Sequence, residues 1–320
     1  MSKPMPERLA PIIITGCRRS GTTLLRTMLE QHPALLVHPD EPQFIQKLAR
    51  RFGSQITQPQ IAIETVTTHP YCPAHVTSDA LQAGLQGRSS LSITEFINLY
   101  LTVWGGTELQ ARHAVLKDPE WIFYLDQLFD WFPEAKMIHL VRDPRANVSS
   151  QRARWQKATV YECAVWWRDA VRVGHALHVT RPDLCYELVY EKLVTAPEET
   201  LAGLCDFLQI PFAPEMLSFE LETPTYAPGA SPQRTRFTRT DETRLKLWQK
   251  HLTPLETRLI ETLGKQEMGW WDYEPADAAV AFLPLVIKYL SEGAGYTMLK
   301  TARTLRSKWQ KENHLRKEKK

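Results

Sequence analysis

The chain has 320 residues and a net charge of +3, enough length to bury a sizeable core in one large α/β domain or one domain with an extension. So small a net charge gives no electrostatic argument for nucleic acid as a partner, although a nucleotide needs only a local basic pocket. Its five cysteines, Cys17, Cys72, Cys163, Cys185 and Cys205, are scattered, odd in number and without CxxC spacing; they indicate neither a disulfide framework nor a zinc site and suit a reducing compartment.

The opening stretch MSKPMPERLAP lacks the apolar region of a signal peptide, so a cytoplasmic location is expected. The β-branched run Ile12 to Thr15 leads straight into Gly16-Cys17-Arg18-Arg19-Ser20-Gly21-Thr22-Thr23. Leu24, Leu25, Met28 and Leu29 then follow at helical spacing, which predicts strand, tight loop and helix. Such a loop converges backbone N–H groups on one point, and the helix turns its positive end toward the same point, forming an anion cradle. The spacing from Gly16 to Gly21 is that of GxxxxGK[ST], yet Thr22 stands where a nucleotide kinase would carry lysine, which weakens a kinase reading. Arg19 supplies a cation from inside the loop instead.

A short buried strand is predicted at Leu35 to Val37, followed by His38-Pro39-Asp40-Glu41-Pro42. Two prolines bracket a carboxylate pair here and present Glu41 on a loop at a strand end, where α/β sheets place their sites. The weakly periodic stretch from Gln55 to Ser92 is expected to be a variable insertion over the site that shapes acceptor specificity. Phe96, Leu99, Tyr100 and Val103 form a helical stripe that stops at Gly105-Gly106, and His113 to Lys117 reads as another buried strand, closed by Lys117-Asp118-Pro119.

Ile122, Leu125, Leu128, Phe129 and Phe132 are expected on the core face of one helix. Met137 to Val141 is a predicted central strand, after which Asp143 and Pro144 suit a helix start. Arg142 at the strand end and Ser150, two turns into that helix, can meet at a single ligand group. A long helix follows through Cys163, Trp166, Trp167, Ala170, Val173 and Leu177, then a strand over Leu184 to Tyr190, and a helix from Pro197 through Leu208. Together these elements predict an α/β fold with a P-loop-like parallel sheet flanked by helices on both faces.

From Thr223 to Thr240 the pattern dissolves around Pro224, Pro228, Gly229 and Pro232 into a basic loop with Arg234, Arg236 and Arg239, either a cover for a nucleotide or a solvated linker. Thr253-Pro254-Leu255-Glu256 has capping-box spacing. Ala279 to Leu290 is too short to span a bilayer and is followed by the basic residues Lys300, Arg303, Arg306, Lys308, Lys311, Arg316, Lys317, Lys319 and Lys320. This predicts a domain over 1–274 and a helical C-terminal extension with a basic tail over 275–320, the helix packing on the domain or on a second subunit. Peripheral contact with an anionic membrane is the alternative.

Arg19-Ser20-Gly21-Thr22-Thr23 resembles the 5′-phosphosulfate loop of sulfotransferases that use PAPS (3′-phosphoadenosine 5′-phosphosulfate), and Arg142-Asp143-Pro144-Arg145 with Ser150 is similar to that family's 3′-phosphate motif. Lys117-Asp118-Pro119 and Tyr190-Glu191-Lys192-Leu193-Val194 resemble further family segments in the same order, and the likeness runs from about Ile12 to Trp270. It implies in-line transfer of a sulfuryl group from PAPS to a hydroxyl or amine of a small-molecule acceptor, releasing PAP (adenosine 3′,5′-bisphosphate), with no metal. Ser20, Gly21, Thr22 and Thr23 would hold the 5′-phosphate, and Arg142 and Ser150 the 3′-phosphate. Lys117 and Arg19 would stabilise the charge on the leaving group. Tyr190 would pack near the adenine, or be an ordinary aromatic at a strand end.

Cytosolic family members use a histidine two residues beyond the lysine as base, and this chain has Pro119 there. Glu41 matches the base of the tyrosylprotein-like branch, with Asp40 as competitor. A buried ion pair orienting Arg19 or Lys117 is the other reading of Glu41. Arg18 stands where many relatives carry proline, and His38, His113 and His139 read as packing or surface residues. The competing functions are sulfation of peptidyl tyrosine, a P-loop nucleotide kinase and a non-catalytic nucleotide-responsive interaction protein.

Overall fold

In the computed structural model, which describes residues 9–223, 233–237, 242–276, 281 and 284–297, the chain begins with β1 (Ile12–Gly16), α1 (Thr22–Leu29) and β2 (Leu35–Val37). It continues through α2 (Phe44–Phe52), β3 (Gln55–Ile56), α3 (Pro59–Thr67), α4 (Ser78–Leu85), β4 (Leu91–Ser92) and α5 (Ile93–Gly105). β5 (His113–Lys117), α6 (Leu125–Trp131), β6 (Lys136–Val141), α7 (Pro144–Arg154), α8 (Val160–Thr180), β7 (Cys185–Val189), α9 (Tyr190–Thr195) and α10 (Pro197–Leu208) follow. β8 (Phe219–Thr223), β9 (Gln233–Phe237), α11 (Trp248–His251), α12 (Pro254–Leu263), α13 (Lys265–Met268) and a helix over 284–297 complete the described chain. It divides into two units, Met1–Val141 with Val173–Glu242, and Arg142–Arg172 with Thr243–Lys320.

The first unit is built on a five-stranded sheet in the order β2-β5-β1-β6-β7, with every neighbouring pair parallel. Parallel strands buried on both faces read as unbroken apolar runs, and successive residues go to opposite sides. Ile13, Leu116 and Met137 accordingly join one core cluster with Phe44, Phe96 and Trp121. Ile12, Ile14, Val115 and Ile138 join the other with Leu25, Met28 and Leu204. Gly16 ends β1 at φ 142°, where a Cβ would stand 2.4 Å from the Leu140 carbonyl oxygen; only glycine lets β1 lie this close to β6.

Three stretches differ from their sequence-based expectation. Gln55 to Ser92 is part of the core: α3 and α4 bury Ala62, Ile63, Val66, Leu81 and Leu85 in the first cluster, and β3 pairs antiparallel with β4. The prolines and glycines that weaken its periodicity lie mostly at the ends of two short helices. Ile122 and Leu128 fall on separate elements, because Asp118 accepts the Glu120 amide and Pro119 starts a short 3₁₀ turn that ends at Tyr124, before α6. Finally, the stretch from Thr223 contains β9, which pairs antiparallel with β8, Phe219 opposite Phe237 and Thr223 opposite Gln233 in register. Pro224, Pro228, Gly229, Pro232 and Arg239 lie outside the described residues.

In the second unit α7, the first part of α8, α11 and α12 enclose Val148, Val160, Ala164, Leu259, Ile260 and Leu263. Thr253 and Glu256 cap α12 reciprocally, satisfying two otherwise orphan N–H groups. Within the expected C-terminal helix, 284–297 is helical, whereas 277–280, 282–283 and the basic residues from Lys300 lie outside the described residues. No described helix is long and apolar enough to cross a membrane.

Candidate active site

The loop after β1 leads into a helix start that no side chain caps. Gly21 is the N-cap of α1 at φ 100° and no acidic residue lies in the first turn, so the positive end of α1 is not neutralised locally. The ring of Tyr190, from the start of α9, lies against Gly21, where a Cβ would be 2.3 Å from Tyr190 Cδ2. Glycine is therefore needed here for both its φ and its lack of a side chain. Ser20 and Thr22 are buried, Thr23 is exposed, and Arg19 is exposed at φ 68°. Left-handed backbone is unfavourable for a long side chain and concentrates at functional loops.

Glu41 and Lys117 meet at the ends of β2 and β5. Lys117 Nζ donates to Glu41 Oε1 at 2.6 Å, and Gln43 Nε2 donates to Glu41 Oε2 at 3.1 Å. The Lys117 side chain is 7% exposed and that of Glu41 28%, so the pair has a buried cationic half and an accessible carboxylate half. Asp40 is exposed and its side chain takes no part in the pair. The strand end is tied to β1 by the Asp118 amide donating to the Ile14 carbonyl at 3.1 Å and by Thr15 Oγ1 donating to the Pro119 carbonyl at 3.2 Å. Arg18, at the position where the resemblance leads one to expect proline, pairs with Glu120.

Two further titratable groups surround the pair. Asp118 is buried; burial, and then the charge of Glu41, push its pKa up to about 7 against the pull of Lys117 and Arg18. His38 is fully buried, and that burial pulls its pKa down to about 4, leaving a neutral ring at pH 7. Its Nδ1 lies 2.7 Å from the Asp40 carbonyl and 3.3 Å from the Asp40 amide, and its Nε2 lies 2.6 Å from Tyr100 Oη. With both nitrogens engaged, His38 fixes the backbone that leads into Glu41.

In the second unit, Asp143 caps α7 by accepting the Arg145 amide, and Trp167 Nε1 donates to the Arg142 carbonyl at 2.8 Å. Arg142 and Ser150 are both half-buried. The neighbouring Arg145 has another assignment: its guanidinium binds Asp143 through Nε and Nη2 at 3.0 and 2.7 Å, Glu261 Oε1 at 3.0 Å and the Glu274 carbonyl at 2.8 Å. Gln43 and the His38–Tyr100 bond were not foreseen from the sequence. Gln43 follows Pro42 directly and offered a signal by its place beside Glu41, but the His38–Tyr100 contact spans 62 residues of chain and offered none.

A family model described as Sulfotransferase family matches residues 11–214. The chain belongs to the sulfotransferase family. The matched stretch starts just before β1 and ends after α10, and includes the loop after β1, Glu41, Lys117, Arg142, Ser150 and Tyr190. Protein-tyrosine sulfotransferase 1 of Danio rerio is 29% identical over 216 residues, covering 65% of this chain and 56% of that protein. Protein-tyrosine sulfotransferase 2 of Gallus gallus is 30% identical over 233 residues, covering 68% and 55%. The chain spans about half the length of these curated relatives. Among solved structures, the sulfotransferase domain from the curacin biosynthetic pathway aligns with a TM-score of 0.59 at 23% identity, covering 84% of this chain and 100% of that domain. That likeness concerns the fold, an α/β sheet with helices on both faces.

Proposed function

We propose that this sulfotransferase uses PAPS to sulfate a hydroxyl or amine of a small-molecule acceptor, and that residues 1–274 form the catalytic domain. The observation that carries the reading is the Lys117–Glu41 pair, 2.6 Å apart at neighbouring strand ends and tied through Asp118 to the strand that feeds the cradle. PAPS supplies the activated sulfuryl group. The donor set fits it: an uncapped helix start with the amides and hydroxyls of Ser20, Gly21, Thr22 and Thr23 suits the 5′-phosphate. Arg142 and Ser150 carry the 3′-phosphate, an assignment that rests on their motif and on the cap and backbone bond that fix α7 in its own unit. Tyr190, held against Gly21, flanks the adenine.

Glu41 takes the proton from the acceptor oxygen or nitrogen as it becomes nucleophilic. Lys117 holds that carboxylate in place and, with Arg19, supplies positive charge toward the phosphate. What this requires of the acceptor is an exchangeable proton on a nucleophilic atom, which small hydroxyl and amine compounds meet. A tyrosine residue of a protein is the second reading, favoured by the names of the Danio rerio and Gallus gallus relatives.

Incubating the protein with PAPS and a panel of phenols, alcohols, amines and tyrosyl peptides, read by a mass gain of one sulfonate, tests both acceptor classes. Gain confined to peptides replaces the first reading with the second, and gain on neither class overturns the reaction. The 3′-phosphate assignment is tested separately by thermal shift without magnesium: PAP should raise Tm more than adenosine 5′-phosphate does. Arg142→Ala should abolish that difference, and its survival would refute the assignment.

A further inference from the structure

Among the described residues, helix 284–297 packs within the second unit through one of its sides. Leu285 and Tyr296 pack against the core of that unit, and the Tyr161 ring lies 5.4 Å from Tyr289 and 5.8 Å from Tyr296 between centroids. Glu292 accepts the Tyr161 amide at 2.8 Å and pairs with Lys288 at 2.8 Å. At roughly 100° per residue, positions 285, 289, 292 and 296 share one side of a helix. Ile287, Leu290 and Ala294 share the opposite side, where Ile287 is 59% exposed, Leu290 is 61% exposed and Ala294 is exposed too. The exposed residues nearest them, Ser291 and Thr297, are uncharged, and the helix's one acidic residue, Glu292, is spent on the docked side.

The sequence that follows supplies the complement. From Lys300 to Lys320 it carries nine lysines and arginines against two glutamates. An apolar stripe free of carboxylates, continued by a strongly basic run, combines the two features that bind a helix in the plane of an anionic membrane surface. We propose that the Ile287–Leu290–Ala294 side of this helix forms a docking surface for an anionic lipid bilayer, the occupant that the basic sequence after it favours. A second copy of this chain would bring a second basic run against the first, and like charges oppose that pairing. A nucleic acid would leave Ile287 and Leu290 in water.

The helix lies in the interface with Ile287 and Leu290 turned toward the acyl boundary, and the net positive charge of the sequence beyond it draws the chain to anionic headgroups. Headgroup attraction fades with salt, because exposed charges are screened beyond a Debye length, whereas the apolar contribution persists. Both are needed for stable attachment, since two or three side chains are a small apolar area.

Flotation of the full chain tests this, with vesicles of phosphatidylcholine alone and with about one-third phosphatidylserine. The wild type should partition at least about tenfold more strongly into the serine-containing vesicles. The double variant Ile287→Ser/Leu290→Ser, which adds no charge at exposed positions, should bind them about tenfold more weakly, with unchanged Tm and unchanged PAP binding. Ile287→Leu/Leu290→Ile should bind like wild type. Equal partitioning into both vesicle types, or equal binding by the wild type and the serine variant, overturns the proposal. So does a dimer, seen by light scattering, that the serine variant dissociates while vesicle binding is absent, since that result assigns the stripe to a second copy.

Discussion

Arg145 and Lys117 each set a cation against carboxylates, and the two regions differ in how completely those charges are satisfied. Arg145 is buried; Asp143 and Glu261 bind its guanidinium, the Glu274 carbonyl takes another N–H, and the Trp248 ring lies 4.5 Å from Cζ. Burial opposes its charge, but the hydrogen bonds and charges of Asp143 and Glu261 outweigh that and raise its pKa. It is a clasp that stays ionised and holds α7 to α12. Lys117 has one carboxylate partner, and that partner keeps 28% of its side chain exposed. A saturated pair has no capacity left for a ligand, whereas a carboxylate that stays partly in solvent can take a proton.

The comparison breaks most visibly at Glu41. Replacing it with Gln keeps the shape and the bond to Gln43 but removes the base, so single-turnover rates at saturating PAPS should fall by about 10²–10⁴-fold, with PAP affinity nearly unchanged. Asp40→Asn should be close to wild type, because its side chain is exposed and outside the pair. A dead Asp40→Asn beside an active Glu41→Gln would move the base by one residue; full activity in both would end the carboxylate mechanism.

The clasp should respond in stability instead. Arg145→Met leaves Glu261, 3% exposed in its side chain, and Asp143 without their shared cation, and breaking a buried pair from one side costs about 3–5 kcal/mol. Urea unfolding should show that loss. A double variant that also carries Glu261→Gln should recover part of it, because one of the two carboxylates left without a cation is then neutral. Loss of less than about 1 kcal/mol in the single variant would show that the clasp is solvated and that the contrast between the two regions is one of position only.

Local signals made most of the fold readable before the structure. The apolar runs at Ile12, His113 and Met137, the uncapped glycine loop and the Thr253–Glu256 box each depend on residues within a few positions of one another. The pairing of Glu41 with Lys117 spans 76 residues, and the sequence left it open as an alternative to the base. The structure shows the ion pair, with the carboxylate still partly in solvent. In Arg142-Asp143-Pro144-Arg145 the sequence reading sets Arg142 with Ser150 and leaves Arg145 without a role; its partners at Glu261 and Glu274, over a hundred residues away, make it structural. The Gln55 to Ser92 stretch was underestimated for the same reason, since its short helices owe their stability to the core they join rather than to their own periodicity.

The smallest expected effect concerns pH, and it separates the two regions by their titration. Asp118 has its pKa raised to about 7 in the folded chain, above the ordinary value of about 3.9, so the folded state binds more protons than the unfolded state between those limits. Stability therefore declines as pH rises from about 4 to about 7. His38, pulled down to about 4 from an ordinary value of about 6.5, does the reverse: the unfolded state takes up the proton first, and stability is lost as pH falls through that window. From about pH 4 to 6.5 the two slopes oppose one another, and between about 6.5 and 7 the slope of Asp118 stands alone. Arg145 stays charged throughout, so the clasp arginine adds no slope of its own here. Asp118→Asn keeps a side-chain oxygen to accept the Glu120 amide while removing the titration. Urea midpoints measured from pH 5 to 8 should then fall on acidification below about 6.5, where the lowered pKa values of His38 and, by burial, His69 set the slope, and should no longer decline between about 6.5 and 7. A variant whose midpoints follow the wild-type profile across the range would show that the Asp118 carboxyl is ionised throughout, and that the site's buried charges are as fully compensated as those of the clasp.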